Sequence, residues 1–193
     1  MTRHATVTRQ TRETAITLTL NLDGQGQCEI STGLGFFDHM LECLAKHAGW
    51  DLQLKATGDL QVDDHHTVED CAIVLGKAVG QALDKRQSIQ RFGHAYAPLD
   101  EALSRAVIDL ATRVTAIISL NLNRENIGDV ACENISHFFR TLAAEACLTL
   151  HLDVLRGEND HHKVESAFKA FALAFRQAAA VTVNGSVSTK GVL

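Results

Sequence analysis

One short pattern occurs twice in this chain of 193 residues and restricts the folds open to it. Residues 63–70 read DDHHTVED, and residues 159–166 read NDHHKVES. Each copy has two adjacent histidines and a glutamate three residues after the second histidine. A duplicated pattern of this length predicts two copies of one structural unit that pack on each other.

Other features repeat at almost the same separation, which extends the duplication beyond one motif. The separations are 100 residues between the Leu-Asn-Leu segments at 20–22 and 120–122, 98 between His39 and His137, and 96 between His65 and His161. These elements occur in the same order in both parts. They predict a single domain, residues 1–193, made of two halves at about 1–90 and 91–185 and a C-terminal tail at 186–193.

Hydrophobic periodicity predicts four helices, at about Gly35–His47, His65–Leu83, Ser136–Leu148 and His161–Ala180, with Asp64 as an N-cap. Alternating or β-branched stretches predict strands at 16–22, 27–32, 50–56, 104–110, 115–122 and 148–154. The expected fold class is therefore α/β of the α+β type, with each half built as strands, helix, strand, helix. Either the two sheets close face to face, or one half-sheet packs against the other.

Composition limits the classes of function. The net charge of −5 argues against nucleic acid as a partner. No apolar run reaches the roughly 18 residues that a membrane span needs. The first 14 residues lack the apolar core of a secretory signal, and the five scattered cysteines suit free thiols in a reducing compartment, so the cytoplasm is the expected location.

Eight residues at matched places of the repeat are candidate metal ligands: His39, His65, His66, Glu69, His137, His161, His162 and Glu165. Imidazole and carboxylate together suit a first-row divalent ion such as Mn, Fe, Co or Zn. On a helix, His65 and Glu69 can share one ion, but the adjacent histidines point about 100° apart. The pattern predicts two metal sites, each with ligands from both halves or from two subunits.

Three other functions fit parts of this pattern less well. Structural zinc prefers cysteine-rich sites, and no cysteine is matched across the halves. A carboxylate-bridged storage protein or oxidase would carry Glu-x-x-His on the helices of a bundle, whereas strands intervene here. A nucleic-acid-binding α/β module would need a basic face.

Seven segments together resemble one enzyme family: TRETAITLTLNLDG (11–24), TGLGFFDHML (32–41), DDHHTVEDCAIVLG (63–76), RFGHAYAPLDEALSRAVIDLATR (91–113), ISHFFRTLA (135–143), NDHHKVESAFKAFALA (159–174) and STKGVL (188–193). In this order they resemble the imidazoleglycerol-phosphate dehydratases of histidine biosynthesis, in the monofunctional form without a phosphatase domain. Val187, where the family has proline, and the DLATRV segment depart from the pattern but leave the candidate ligands intact.

The resemblance implies a catalytic domain of the ribosomal-S5-domain-2-like fold that dehydrates imidazoleglycerol phosphate to imidazole acetol phosphate. It implies two Mn²⁺ ions per active site, a metal-bound imidazolate, and active sites between the subunits of a 24-subunit assembly. It implies catalytic roles for Glu13, Glu165 and His65, with Glu165 moving a proton as well as holding a metal. It implies phosphate binding by Arg91, Arg113, Lys169, Ser188 and Lys190.

Two finer expectations concern the repeat. Glu13 and Arg113 are 100 residues apart, which suggests one ancestral position that became an acid/base group in one half and a phosphate ligand in the other. Asp38 and Asp160 are expected to orient neighbouring imidazoles through their outer N–H groups.

Overall fold

A computed structural model describes residues 3–86 and 88–182. The strands are β1 (His4–Gln10), β2 (Thr14–Asn21), β3 (Cys28–Ser31), β4 (Asp51–Gly58), β5 (Phe92–Leu99), β6 (Ala102–Asp109), β7 (Thr115–Ser119), β8 (Asn126–Ile127), β9 (Val130–Ala131) and β10 (Thr149–Arg156). The helices are α1 (Gly35–Ala48), α2 (His65–Leu83), α3 (Cys132–Glu145) and α4 (Asp160–Ala178). The α/β fold class and its duplication are confirmed.

The two four-stranded sheets have the same topology, β1-β2-β4-β3 and β5-β6-β10-β7. Their registers show which residues correspond. A row across the first sheet joins Ala5, Leu20, Leu52 and Cys28, and the matching row of the second joins Gly93, Ile108, Leu150 and Ala116. Counted along the chain, each of the first three strands of one half is thus 88 residues from its counterpart in the other half. The fourth strand is 98 residues from its counterpart.

The difference of ten residues lies between β7 and α3, where the small β8–β9 hairpin is inserted. The Leu-Asn-Leu match was therefore wrong. Residues 20–22 lie at the end of β2, but 120–122 follow β7, and the counterpart of Leu20 is Ile108. A chance identity of three letters at the expected distance concealed the insertion.

Helices from different halves pair in the middle of the molecule, and the sheets lie outside them. Helix α1 packs beside α4, and α2 beside α3, while α2 covers the first sheet and α4 the second. The rings of His39 and His161, near the starts of α1 and α4, are 6.0 Å apart, and Trp50 and Phe175, near their ends, are 4.9 Å apart. The paired helices are therefore parallel, and the sheets do not close on each other.

The helix predictions were accurate except for α3. Prediction placed it at Ser136–Leu148, but it begins at Cys132 and ends at Glu145. Its polar first turn hid the start, and Cys147 adopts a positive φ of 50° that ends the helix without the usual glycine. Strands β1 and β5 were missed because most of their side chains are exposed or half-buried and give no clear apolar alternation.

The N-terminus of α2 also differs in detail from the prediction. Asp64 makes no side-chain cap to its own helix; its carboxylate accepts the N–H of Ala131, at the start of α3. The N–H of His65 bonds instead to Asp63, as that of His161 bonds to Asn159. Among the helices in 3–86 and 88–182, none is long and apolar enough to cross a membrane.

Candidate metal centre

The first cluster of candidate ligands lies where α1 meets α4. Nε2 of His39 is 3.4 Å from Oε2 of Glu165, and Nε2 of His161 is 3.3 Å from the same oxygen. One ligand comes from the first half and two from the second. The i, i+4 spacing on α4 puts His161 and Glu165 on one helix face, and the parallel packing of α1 brings His39 to it.

The second cluster is the counterpart of the first, where α2 meets α3. Nε2 of His137 is 2.9 Å from Oε1 of Glu69, and Nε2 of His65 is 3.9 Å from Oε2. The rings of His65 and His137 stack with centroids 5.1 Å apart. Here two ligands come from the first half and one from the second, so the halves exchange roles between the clusters.

Both clusters fit a divalent ion. In each, one ligand atom per residue can be chosen so that all lie within 4.8 Å of one another, and none of the six residues is fully buried. In the second cluster the outer nitrogen Nδ1 of His65 is 2.9 Å from Oδ1 of Asn134, which leaves Nε2 directed at the carboxylate. A donor set of two imidazoles and one carboxylate with an outer partner is typical of a first-row metal site.

The second histidine of each pair is outside its own cluster. The rings of His65 and His66 are 5.9 Å apart at 75°, and those of His161 and His162 are 6.1 Å apart at 86°. Nδ1 of His66 is 3.0 Å from Asp59, and Nδ1 of His162 is 2.7 Å from Glu101. Adjacent imidazoles therefore diverge, and the Nε2 of each second histidine faces a carboxylate at longer range, Glu13 at 3.8 Å from His66 and Asp100 at 3.9 Å from His162.

These carboxylates change the pKa values of His66 and His162, which are both half-buried. The hydrogen bond with Asp59 raises the pKa of His66, and that with Glu101 raises the pKa of His162. The pKa of Glu101 falls to about 2 because it accepts the N–H groups of Asn159 and Glu158 as well as His162. Glu101 thus remains ionised and holds the start of α4.

Glu165 lies in a mixed environment that still favours its charged form. Burial alone would raise the pKa of this carboxyl, but the ammonium of Lys169, 2.8 Å from Oε1, and the imidazole of His39 bring it below its ordinary value. Lys169 holds one oxygen while the other faces the two histidines. The predicted phosphate ligand is therefore an immediate neighbour of the first cluster.

Glu13 lies in the turn between β1 and β2, with Oε1 3.8 Å from Nε2 of His66. Its pairing with Arg113 was wrong: the sheet registers, with their offset of 88, make Glu101 its counterpart in the turn between β5 and β6. Both turns therefore place a glutamate beside the second histidine of a pair. Sequence reasoning missed Glu101, although the correct offset would have found it.

Arg91 and Arg113 lie at the opposite end of the second half. The backbone N–H of Arg91 bonds to Ala178, the last residue of α4, and its guanidinium forms a fork on Asp109 at 2.8 and 3.0 Å. The carbonyl of Arg113 accepts the hydroxyl of Thr149, at the start of β10. Ser188, Lys190 and the whole tail at 186–193 lie outside the described residues.

The expected orienting roles of Asp38 and Asp160 were wrong. Asp38 accepts the N–H and hydroxyl of Thr32, and Asp160 bonds to the loop at 123–124 and to Lys163. Asp38 therefore fixes the chain before α1, and Asp160 joins the start of α4 to the loop after β7. Of the groups that do contact the outer imidazole nitrogens, Asn134 and Glu101 come from distant segments and Asp59 from the loop before α2, and spacing along one helix could not indicate them.

Fold and site together define an α/β protein of two equivalent halves that holds two His-His-Glu clusters between paired helices. The family model for imidazoleglycerol-phosphate dehydratase matches residues 32–175. The chain belongs to this family, a family of hydro-lyases of histidine biosynthesis, as its motifs predicted.

Individual relatives agree along nearly the whole chain. The imidazoleglycerol-phosphate dehydratase of Candida glabrata is 52% identical over 208 residues, covering 98% of this chain and 99% of that protein. The one from Phytophthora nicotianae is 52% identical over 192 residues, and the chain spans 42% of its length. The crystal structure of the Staphylococcus aureus enzyme superposes with a TM-score of 0.84 at 34% identity, covering 93% of this chain and 99% of that one.

Proposed function

We propose that this protein catalyses the metal-dependent dehydration of imidazoleglycerol phosphate to imidazole acetol phosphate, in the cytoplasm. The observation that carries the proposal is the pair of clusters, His39–His161–Glu165 and His65–Glu69–His137, each drawn from both halves. A dinuclear imidazole-binding site would need such a matched pair. The identity of the substrate is inferred from the family to which the chain belongs.

The six cluster residues would hold two divalent ions, with Mn²⁺ the ion we expect. When bound, these ions act as Lewis acids that stabilise negative charge on the imidazole ring of the substrate. The Nε2 atoms of His66 and His162 lie outside their own clusters, so we assign them as ligands given to a site in a neighbouring subunit.

The elimination removes a carbon-bound proton and a hydroxide, and the chain must supply acid/base groups for both. Glu13 is exposed and faces His66, so it can exchange a proton with solvent and with a substrate bound beside that imidazole. Glu165 keeps its charge through Lys169 and His39, so it can accept a proton at the oxygen that faces the histidines. We also assign His65 a catalytic role at the second cluster.

The distance between the metal ligands and the arginines predicted to bind phosphate favours active sites shared between subunits. His161 begins α4, while Arg91 contacts its last residue, Ala178. At 1.5 Å per residue these ends are about 25 Å apart, far more than a glycerol phosphate can span. If Arg91 and Arg113 bind the phosphate, and Lys169, Ser188 and Lys190 assist, the arginines must come from a different copy than the metal ligands.

The outer face of the second sheet supports self-association, which we propose reaches 24 subunits. Phe92, Tyr96, Val107, Ile117 and Leu155 are each at least 40% exposed on that side of the molecule. On the first sheet, the row that contains the counterparts of Val107 and Ile117, Thr6–Thr19–Gln53–Glu29, is polar. Exposed apolar area on one sheet only is typical of a surface that another protein covers, and we assign a second copy to it.

A dehydratase assay on metal-stripped protein, with divalent ions added back singly, tests the proposal. We expect turnover to return with Mn²⁺ and the metal content to reach two ions per chain. His65→Ala and His161→Ala should lose metal and activity together, whereas His4→Ala, outside both clusters, should lose neither. Full activity in either cluster variant with unchanged metal content would refute the dinuclear site.

A metal-storage or oxidase protein would bind the same ions but would not turn over imidazoleglycerol phosphate. A nucleic-acid-binding module would bind neither the ions nor the substrate. The same add-back experiment therefore separates the three functions.

A further inference from the structure

A buried carboxylate that the proposed chemistry does not use lies next to the second cluster. Asp70 follows Glu69 in α2 and is 5% exposed. It accepts the hydroxyl of Thr14 at 2.5 Å and the Nε of Arg9 at 2.8 Å. Both partners belong to the β1–β2 strand pair, so Asp70 joins the helix that carries Glu69 to the sheet beneath it.

The hydrogen bonds continue from Thr14 into the turn that carries Glu13. The hydroxyl oxygen of Thr11 accepts the backbone N–H groups of Glu13 and Thr14, each at 3.0 Å. The N–H of Thr11 in turn bonds to the carbonyl of Thr14 at 2.9 Å. The backbone on both sides of Glu13 is thereby fixed, while its side chain extends, 53% exposed, toward His66.

The second half shows that the fold does not need this connection. By register, Asp70 corresponds to Ser166, Thr14 to Ala102 and Arg9 to Ala97. Ser166 bonds to Ser104 at 2.6 Å, and the β5–β6 hairpin forms with alanines at the other two positions. Burial of a carboxylate is costly unless it is well hydrogen-bonded. Because only the first half has a buried carboxylate at this position, we look for its role in the surroundings of Asp70.

We propose that Asp70 is a positioning residue that fixes Glu13, through Thr14 and Thr11, relative to the metal ligands of α2. The inference rests on the proposed acid/base role of Glu13. One peptide bond joins Asp70 to Glu69, so a single rigid helix sets the place of a metal ligand and of the turn that presents the acid/base group. A displacement of about 1 Å at such a group can cost about a hundredfold in rate.

The variant Thr14→Val removes the hydroxyl that Asp70 binds and keeps the shape of the side chain. We expect kcat to fall about tenfold or more, with KM for the substrate and the metal content per chain unchanged. Thr14→Ser restores the hydroxyl and should restore most of kcat. Ser166→Ala, the register counterpart of a change at Asp70, should leave kcat within about twofold of the parent.

A double-mutant cycle separates positioning of Glu13 from a general loss of structure. In the Glu13→Gln background, adding Thr14→Val should lower kcat by less than about twofold, because the group that is positioned is already absent. An equal fall of kcat in both backgrounds would overturn the proposal, as would wild-type kcat in Thr14→Val. If Thr14→Val does not fold, Asp70→Asn takes its place in the same cycle with the same expectations.

The cycle also distinguishes failure of this inference from failure of the proposed function. A parent enzyme without turnover of imidazoleglycerol phosphate would refute the function. A parent-like kcat in Glu13→Gln would refute the role of Glu13 and the positioning role with it. Loss of metal in Thr14→Val would show that the connection acts on Glu69 and would likewise overturn the proposal.

Discussion

At the scale of single residues, the ligand types and their spacing could be predicted, but their outer partners could not. His65 and Glu69 face the same way because four residues make slightly more than one helical turn, and this holds in any helix. The partners of the second histidines, Asp59 and Glu101, come from another loop in each case. Both partners lie in the same half as their histidine, so it is the folding of each half that brings them together, and spacing along the helix does not indicate it.

Arg113 tests the phosphate site at this scale. Arg113→Ala should raise KM for the substrate at least about tenfold while metal content stays at the parent value, because the guanidinium is remote from both clusters in its own chain and a charge-assisted contact to phosphate is lost. Gln25→Ala, at the register counterpart, is the matched control and should leave KM unchanged. A parent-like KM in Arg113→Ala would remove Arg113 from the site.

Asp51 gives a pH dependence of stability. The N–H groups of Gln25 and Gln27, 2.8 and 3.1 Å from Oδ1, lower the pKa of this carboxyl. A lowered folded-state pKa stabilises the protein above the unfolded value of about 3.9, and the effect is lost as the pH falls through the folded value. Asp51→Asn should therefore lower the urea midpoint at pH 7, and the difference should shrink below about pH 4. A difference that is constant with pH would contradict this origin.

At the scale of elements, apolar periodicity predicted where the helices lie in the sequence, but it could not predict which helices contact each other. Helix α2 was predicted with its observed bounds, whereas nothing in its pattern shows that α3 lies so close to it. A Cβ added at Gly76 would be 2.6 Å from Cβ of Glu145 and 3.0 Å from the carbonyl of Leu142. Gly80, one turn later, has only ordinary contacts, the nearest at 3.6 Å.

The two glycines of α2 should therefore respond oppositely to alanine. Gly76→Ala should destabilise the protein by about 1–3 kcal/mol, since overpacking forces α3 away. Gly80→Ala should be neutral or stabilise by up to about 1 kcal/mol, because alanine favours the helix and has room. Urea unfolding at constant metal concentration measures both. Equal effects at the two sites would show that the helix contact does not determine the cost.

At the scale of the whole molecule, the duplication was predictable, but its correct register was not. The matches of α1 with α3 and of α2 with α4 between the two halves were right, because these helices carry the candidate ligands at fixed spacing. The strand match was wrong because the β8–β9 insertion changes the offset from 88 to 98, and no short segment of sequence marks that change. Asp129, in the turn of this β8–β9 insertion, accepts the N–H groups of Gly35 and Phe36. The insertion in the second half therefore caps α1 of the first half.

The correct register provides a matched test of assembly. Val107 on the second sheet corresponds to Thr19 on the first, and both side chains face outward from their sheets. Val107→Asp places a charge in the surface that we assign to a second copy, where burial without a partner is costly, so it should shift the mass in solution to smaller species and reduce activity. Thr19→Asp should keep the parent mass and activity. Light scattering after size-exclusion chromatography measures the mass, and circular dichroism checks that both variants fold. Parent-like assembly of Val107→Asp would show that this sheet face stays exposed to solvent, and the shared active site would then have to form through another surface.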